Sequence, residues 1–211
     1  MTAVIVCGGE IVDYVYMRKY FKEAELIISA DSGARHCKSL LVTPDLMVGD
    51  FDSVTAEDYA GLAAAGVEIV RFPVEKDMTD SELAIEFALE RGCTGIILLG
   101  VLGTRLDHSI SNLFLLKKLL DKGVDGMIAD EHNEIRLINR SIVLMREEDV
   151  FITLLPLAGD AKGVTTSGLY YPLENATLET GSSRGVSNRF SEDVARVTVE
   201  KGYLLVIKAR D

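Results

Sequence analysis

Asp50 and Asp52 frame a D-x-D at the end of a short apolar run, Leu46-Met47-Val48-Gly49. If the run is a buried strand, residues i and i+2 share a side. Both carboxylates then face one site while Phe51 turns back toward the core. Two carboxylates so close repel each other unless a cation lies between them or one holds a proton. Hard oxygen donors suit Mg²⁺, which commonly takes one or two carboxylates together with substrate phosphates. A solvated acidic turn has the same sequence, so the pair has to be weighed with its company. Other runs end alike: Gly8-Gly9 follow residues 3–7, Asp31 follows residues 25–30, and Asp77 and Asp80 precede a helix. Arg105, Asp107 and His108 follow the run GIILLG over residues 95–100. A guanidinium at such a junction can clamp phosphate oxygens through its planar fork. His108 is a further candidate phosphate contact, although histidine at such a place also serves as an ordinary hydrogen-bonding residue.

The positions of these residues follow from the elements around them. Residues 3–7, 25–31, 46–48, 67–73, 95–100 and 125–131 read as strands, several of them apolar throughout as buried parallel strands are. Between them run helical stretches over 10–22, from Gly33 to Leu41, over about 55–65 and within 74–91. In the last, Leu83 and Phe87, and Ala84 and Ala88, repeat at i and i+4. Thr79-Asp80-Ser81-Glu82 has capping-box spacing, with Thr79 as cap and Glu82 reaching back. A further helix follows residue 105, with Leu113, Leu116 and Leu120 as its apolar side. From Glu134 onward the runs are short, β-rich and separated by turn residues. The expectation is an α/β domain over residues 1–131, a parallel-type sheet flanked by helices, and then an all-β sandwich or jelly-roll-like domain over 132–211.

In an open parallel sheet, ligands bind outside the carboxyl ends of the strands. Gly8, Gly9, Asp31, Asp50, Asp52, Asp77, Asp80, Arg105 and Asp107 all fall at that edge. The residues therefore point to a Mg²⁺-dependent site acting on a phosphate-rich ligand such as a nucleotide. No Walker A sequence and no kinase-type glycine-rich loop is present, so phosphoryl-type transfer would use another scaffold. The formal net charge of −11 argues against nucleic-acid and anionic-membrane partners. It leaves a phosphate substrate open, because a bound cation supplies local positive charge. Cys7, Cys37 and Cys93 form no C-x-x-C pair and fit a reducing compartment. No apolar run is long enough to span a bilayer. A cytoplasmic protein is expected.

Four blocks taken together, ADSGARH (30–36), PDLMVGDFDSV (44–54), EKDMTDSELA (75–84) and GVLGTRLDHSISNLFLL (100–116), resemble the thiamine pyrophosphokinase (thiamine diphosphokinase) family. GLYYPL (168–173) and GVSNRF (185–190) match that family's C-terminal blocks, so the resemblance covers nearly the whole chain. It implies a catalytic α/β domain, a β-sandwich that binds thiamine, and a homodimer with active sites shared between subunits. It also implies transfer of the diphosphoryl group of ATP to thiamine, giving thiamine diphosphate and AMP. By the same resemblance Asp50, Asp52 and Asp80 hold Mg²⁺, and Asp31 and Asp77 shape the metal–phosphate site. Arg105 stabilises phosphate charge, and Asp107 orients either the nucleotide or the nucleophile. Ser187 and Asn188 match the thiamine-recognition block. Tyr171 stands where some relatives carry Trp, so that either it or Tyr170 stacks on the ligand, or both are ordinary packing. A nucleotide hydrolase and a non-catalytic sensor are the rival readings.

Overall fold

Runs of four or five mostly apolar residues become the strands of the first unit: β1 (Thr2–Val6), β2 (Leu26–Ala30), β3 (Leu46–Gly49), β4 (Glu68–Arg71), β5 (Gly95–Leu99) and β6 (Asp125–Ala129). They pair in the order β4-β3-β2-β1-β5-β6, and every pairing is parallel. This computed structural model describes residues 1–50, 60–61, 64–73 and 77–211. Asp52 and most of the helix expected over about 55–65 lie outside the described residues. By contact density the chain divides into units Met1–Glu131 and His132–Asp211.

The sheet order reverses direction at β1. The chain first builds outward through β2, β3 and β4, then returns to place β5 on the other side of β1. Such a reversal splays the connections at the carboxyl edge apart and opens a crevice there. Among the described residues, four named helices accompany the sheet: α1 (Tyr14–Met17), α2 (Ala34–Leu40), α3 (Asp80–Glu90) and α4 (Leu106–Asp121). Val4, Val6, Met17, Tyr20, Cys37, Leu40 and Leu99 share one buried cluster, which ties β1 and β5 to α1 and α2.

Two helices differ from expectation for local reasons. The helix expected over 10–22 begins only at Tyr14, because Asp13 caps it by accepting from the Tyr16 N–H. The backbone N–H groups ahead of the cap are used elsewhere: Glu10 donates to the Leu102 carbonyl, and Val12 and Asp13 both donate to Glu131 Oε1. In α4 the buried stripe is Asn112, Leu115, Leu116 and Leu119, rotated from the expected Leu113-Leu116-Leu120 side. At α3, Thr79 Oγ1 accepts from the Glu82 N–H as expected, but the Glu82 carboxylate bonds Lys118 Nζ on α4 at 2.8 Å.

The second unit is antiparallel throughout. It comprises β7 (Asn133–Ile138), β8 (Ser141–Met145), β9 (Phe151–Ser167), β10 (Ala176–Leu178), β11 (Asn188–Arg189), β12 (Val194–Thr198) and β13 (Lys201–Ala209). β13 lies between β7 and β9, and β12 between β8 and β9. The 17-residue β9 changes partners along its length: Phe151 to Leu157 run beside β13, while Thr165 to Ser167 run beside β12. Positive φ at Ala158, Gly159 and Gly163 marks the bend between the two stretches. Ile152, Leu154, Ala161, Val164, Ala195, Val197, Leu204 and Val206 meet in a core behind that bend.

Backbone contacts close the carboxyl edge of the first sheet. Asp31, Ser32 and Gly33 form a 3-10 turn, and a Cβ at Gly33 would sit 2.0 Å from the Val6 carbonyl oxygen. Because the obstacle is backbone of a buried strand, it cannot swing aside. Gly33→Ala is therefore expected to destabilise the fold by about 1–3 kcal/mol, read as a lowered melting temperature by calorimetry. An unchanged melting temperature would show that β1 and the turn are not held together as described.

Candidate active site

A cavity of about 590 Å³ opens at the carboxyl edge, where the exits of β1, β2 and β5 meet the N-terminal ends of α3 and α4. Gly8 and Gly9 come from the β1 exit, Asp31 and Ser32 from the β2 exit, and residues 100–105 from the β5 exit. Asp80, the first residue of α3, and His108, in the first turn of α4, also line the wall, with Glu10 and Arg35. Asp31 holds φ at +46°, a conformation a non-glycine residue adopts at a cost and chiefly where the surroundings impose it. The conformation turns the chain from β2 into the 3-10 segment.

Six of the residues singled out in the sequence thus share one wall: Gly8, Gly9, Asp31, Asp80, Arg105 and His108. Asp50 stands beside them at the end of β3, where Gly49 packs so closely on Asp31 that a Cβ would be 3.0 Å from the Asp31 Cα. Asp77 is exposed ahead of the α3 cap, and Asp107 is exposed on α4; neither is on the described wall. Asp52 is outside the described residues. Tyr171, Ser187 and Asn188 come together in the second unit.

Arg105 and Asp107 form an ion pair, with Nη2 to Oδ2 at 2.5 Å and Nε to Oδ1 at 3.3 Å. The hydrogen bond from Arg105, helped by the His108 N–H and the Arg105 charge, holds the Asp107 carboxyl below its usual range. The pairing therefore persists through neutral pH and is lost only as pH falls through that lowered value. Cys7, on the cavity wall, is pushed up to about 12, first by burial and then by the charges of Asp80, Cys37 and Asp31. It stays a thiol at physiological pH and is no nucleophile.

Among the described residues, no group of three or more His, Cys, Asp or Glu side chains is arranged to hold a metal ion. A divalent ion whose shell is completed by phosphate oxygens and water needs only one or two carboxylates from the protein. Asp31 and Asp80 on one wall, with Asp50 adjoining, are a donor set of that hard-oxygen kind.

Several residues that sequence reasoning passed over turn out to hold this wall together. Ser81 Oγ donates to Asn112 Oδ1 at 2.9 Å, and Asn112 Nδ2 donates to the Val101 carbonyl at 2.8 Å. Thr79 Oγ1 lies 3.0 Å from Ser81 Oγ. This chain joins the start of α3, which carries Asp80, to the loop that carries Arg105. Its signal in the sequence was a polar residue at a core position: Asn112 precedes Leu115, Leu116 and Leu119 by three, four and seven residues. Arg35 and His36 were likewise visible only as part of a block; in the structure they grip the carbonyls of Gly8 and Gly9.

In the second unit, Asn188 is 7% exposed, and its side-chain amide is committed to backbone. Oδ1 accepts from the N–H groups of Tyr171 and Arg189, while Nδ2 donates to the Tyr171 carbonyl at 2.8 Å. Ser187 has φ of +60°, and its N–H donates to Thr153 Oγ1. The rings of Tyr170 and Tyr171 meet edge to face at 4.9 Å, and both are largely exposed. Asn188 thereby fixes the backbone from which Tyr171 projects.

The architecture defines an open α/β unit with a crevice at its topological switch point, followed by an antiparallel β unit. Comparison with known proteins makes the assignment specific. Residues 17–128 match the family profile described as "Thiamin pyrophosphokinase, catalytic domain", and residues 140–204 match "Thiamin pyrophosphokinase, vitamin B1 binding domain". The chain is 29% identical over 209 residues to thiamine pyrophosphokinase of Bacillus subtilis (strain 168), covering 98% of both chains. The crystal structure of the thiamine pyrophosphokinase from Bacillus subtilis superposes with a TM-score of 0.91 at 28% identity, covering 100% of both chains. That of Geobacillus thermodenitrificans gives 0.87 at 29% identity, covering 100% of this chain and 98% of the other. The chain belongs to the thiamin pyrophosphokinase family.

Asn112 provides a test of how the wall is held. Asn112→Ala removes both bonds of a side chain that is 6% exposed and leaves the Val101 carbonyl unpaired. A loss of about 1–3 kcal/mol in unfolding free energy is expected, measured by denaturant titration. A loss below about 0.5 kcal/mol would mean that the Ser81–Asn112–Val101 chain is not a structural tie.

Proposed function

We propose that the protein is a thiamine diphosphokinase, transferring the diphosphoryl group of ATP to the hydroxyl of thiamine and releasing AMP. The observation that carries this reading is the cavity at the β1/β5 switch point, where carboxylates from two elements and a guanidinium from a third converge in a chain of this family. The hydroxyl oxygen of thiamine forms the new bond to the β-phosphorus of ATP. The bond from that phosphorus to the oxygen bridging the α-phosphorus breaks, and AMP leaves with that oxygen. The hydroxyl proton passes to a carboxylate at the strand exits. Charge builds on the diphosphoryl oxygens in transit, so catalysis rests on positioned electrostatics more than on covalent chemistry.

Each residue's part follows from its place. Asp80 on the cavity wall, with Asp50 and Asp52, would hold Mg²⁺, and Asp31 and Asp77 would shape that region. When bound, the ion neutralises phosphate charge and orients the diphosphoryl group. Arg105 offers a planar fork to phosphate oxygens, and Gly8, Gly9 and His108 border the nucleotide. Asp107 presets the guanidinium and orients the nucleotide or the nucleophile. Residues 1–131 are the catalytic, ATP-binding part. Residues 132–211, read as a β-sandwich, bind thiamine and form a homodimer with shared active sites. There Tyr171 supplies an aromatic face for a planar cationic ligand, Ser187 a polar contact, and Asn188 the support of the Tyr171 turn. Three cysteines without a disulfide agree with a cytoplasmic setting, and among the described residues no helix is long and apolar enough to cross a membrane.

AMP and thiamine diphosphate are expected to appear one for one from ATP–Mg²⁺, and only when thiamine is present. Asp80→Asn is expected to lower kcat by about 100-fold or more, with an unaltered melting curve. AMP release without thiamine would replace the reading by hydrolysis, and an active Asp80→Asn variant would remove Asp80 from the site. In a dilution series followed by light scattering, twice the mass of the 23.1 kDa chain is expected. A persistent monomer that turns over would rule out shared active sites.

A further inference from the structure

The turn Gly8-Gly9 is squeezed from both sides. A Cβ at Gly8 would lie 1.9 Å from Ser32 Oγ, and one at Gly9 would lie 2.4 Å from the Gly100 carbonyl oxygen. Only glycine fits. Its N–H groups are not all available to a ligand, because Gly9 donates to Gly100 at 2.6 Å and Glu10 donates to Leu102 at 3.1 Å. Glycine also leaves the peptide planes freer to rotate than any other residue would. A turn that borders a site for a polyphosphate must nevertheless keep its carbonyl dipoles under control. An oxygen swung toward the phosphates would repel them.

Two neighbouring residues of α2 cover those oxygens. Arg35 Nη2 donates to the Gly8 carbonyl at 2.6 Å. His36 Nε2 lies 2.8 Å from the Gly9 carbonyl, and Nδ1 lies 2.8 Å from Tyr14 Oη. A carbonyl oxygen only accepts, so Nε2 carries the hydrogen, and Nδ1 in the neutral ring accepts from the Tyr14 hydroxyl. The Arg35 Nε lies 3.4 Å from the same Nε2, and a bond there would need the other tautomer, which would set two lone pairs against each other at the 2.8 Å contact with the Gly9 carbonyl. The imidazole is 4% exposed. Burial first, and the Arg35 charge after the Gly9 carbonyl's opposing effect, lower its pKa, while Glu131 acts the other way. The ring is thus a fixed neutral strut between α1, α2 and the glycine turn.

We propose that His36, locked by Tyr14, is a positioning residue for ATP, which holds the Gly9 carbonyl in place so that the glycine turn keeps the shape that receives the triphosphate. The proposal rests on ATP occupying the cavity, as proposed above. It assigns no chemical step to His36. Loss of the strut should therefore weaken nucleotide binding while leaving thiamine binding and the chemical step little altered.

Three variants test this: His36→Leu, His36→Gln and Tyr14→Phe. His36→Leu is expected to raise KM for ATP–Mg²⁺ about tenfold, with kcat and KM for thiamine changed by less than about twofold. The dissociation constant of a non-hydrolysable ATP analogue with Mg²⁺, measured by calorimetry without turnover, should rise by the same factor. His36→Gln, whose Nε2–H can reach the same carbonyl, should recover most of the affinity. Tyr14→Phe keeps the ring packing and removes only the lock, so a rise of about threefold in KM for ATP–Mg²⁺ is expected. It carries the test if His36→Leu fails to fold. An unchanged analogue affinity in His36→Leu or, where that variant does not fold, in Tyr14→Phe would overturn the proposal, as would equal losses in the Leu and Gln variants. A wild-type protein without thiamine-dependent AMP release would instead overturn the proposed function, a result separable from either of these.

Discussion

The arrangement depends on backbone meeting backbone at the carboxyl edge of the parallel sheet. Gly33 lies against the Val6 carbonyl, Gly9 against Gly100, and Gly49 against Asp31, each without room for an added Cβ at ordinary contact distance. Strands about 4.8 Å apart can deliver side chains to one crevice only if their connections do not fill it. By closing the exits of β1, β2, β3 and β5 on one another, these contacts leave the space above the β1/β5 switch point to Asp31, Asp80 and Arg105. The positive φ of Asp31 is the local cost of that closure, accepted where a strand ends and a carboxylate has to turn.

The frame was largely legible in the sequence because its signals are strong and local. Uninterrupted apolar runs such as residues 95–99 are hard to read as anything but strands, and Thr79 caps α3 as its spacing says it should. The start of α1 was not legible. Residues 10–13 have acceptable helical character, but their N–H groups go to Leu102 and Glu131, which are distant in sequence. The stripe of α4 was misjudged because Asn112 looks like a solvent residue. It faces inward because Ser81 and Val101 meet it there, and no local pattern encodes that encounter.

Within the site, the same distinction separates residues that could be named from those that could not. Carboxylates at strand exits are visible because charge is rare beside an apolar run. The groups that fix the backbone around them in the first unit, Asn112, Ser81 and His36, are neutral and buried, as is Asn188, which fixes the Tyr171 turn in the second unit. Asn112, His36 and Asn188 bond backbone carbonyls or N–H groups from elsewhere in the chain, and Ser81 bonds the Asn112 side chain. Their contribution comes from removing alternatives. A buried amide with every bond made specifies one arrangement of loops, whereas an apolar residue of equal size would leave several.

On the proposed function, electrostatics poses the remaining problem, since an acidic chain would have to admit a more acidic ligand. Asp31 and Asp80 alone would repel a triphosphate, and the net charge of −11 adds to that repulsion at long range. The positive groups at the cavity are few, and each has a different attachment. Arg35 is tied to the Gly8 carbonyl, so its charge stays beside the turn. Arg105 is tied, among the described residues, to Asp107, in a pair exposed on both sides. Exposed pairs of this kind are weakly held, because water and salt compete for both partners. A guanidinium so held is kept near its working position yet exchanges one anionic partner for another at little cost. A buried pair could not do this, because parting it would strand a charge away from water. On the proposed function, exposure of Arg105 and Asp107 is therefore what would suit them to a ligand that must be gripped, moved as a diphosphoryl group and released.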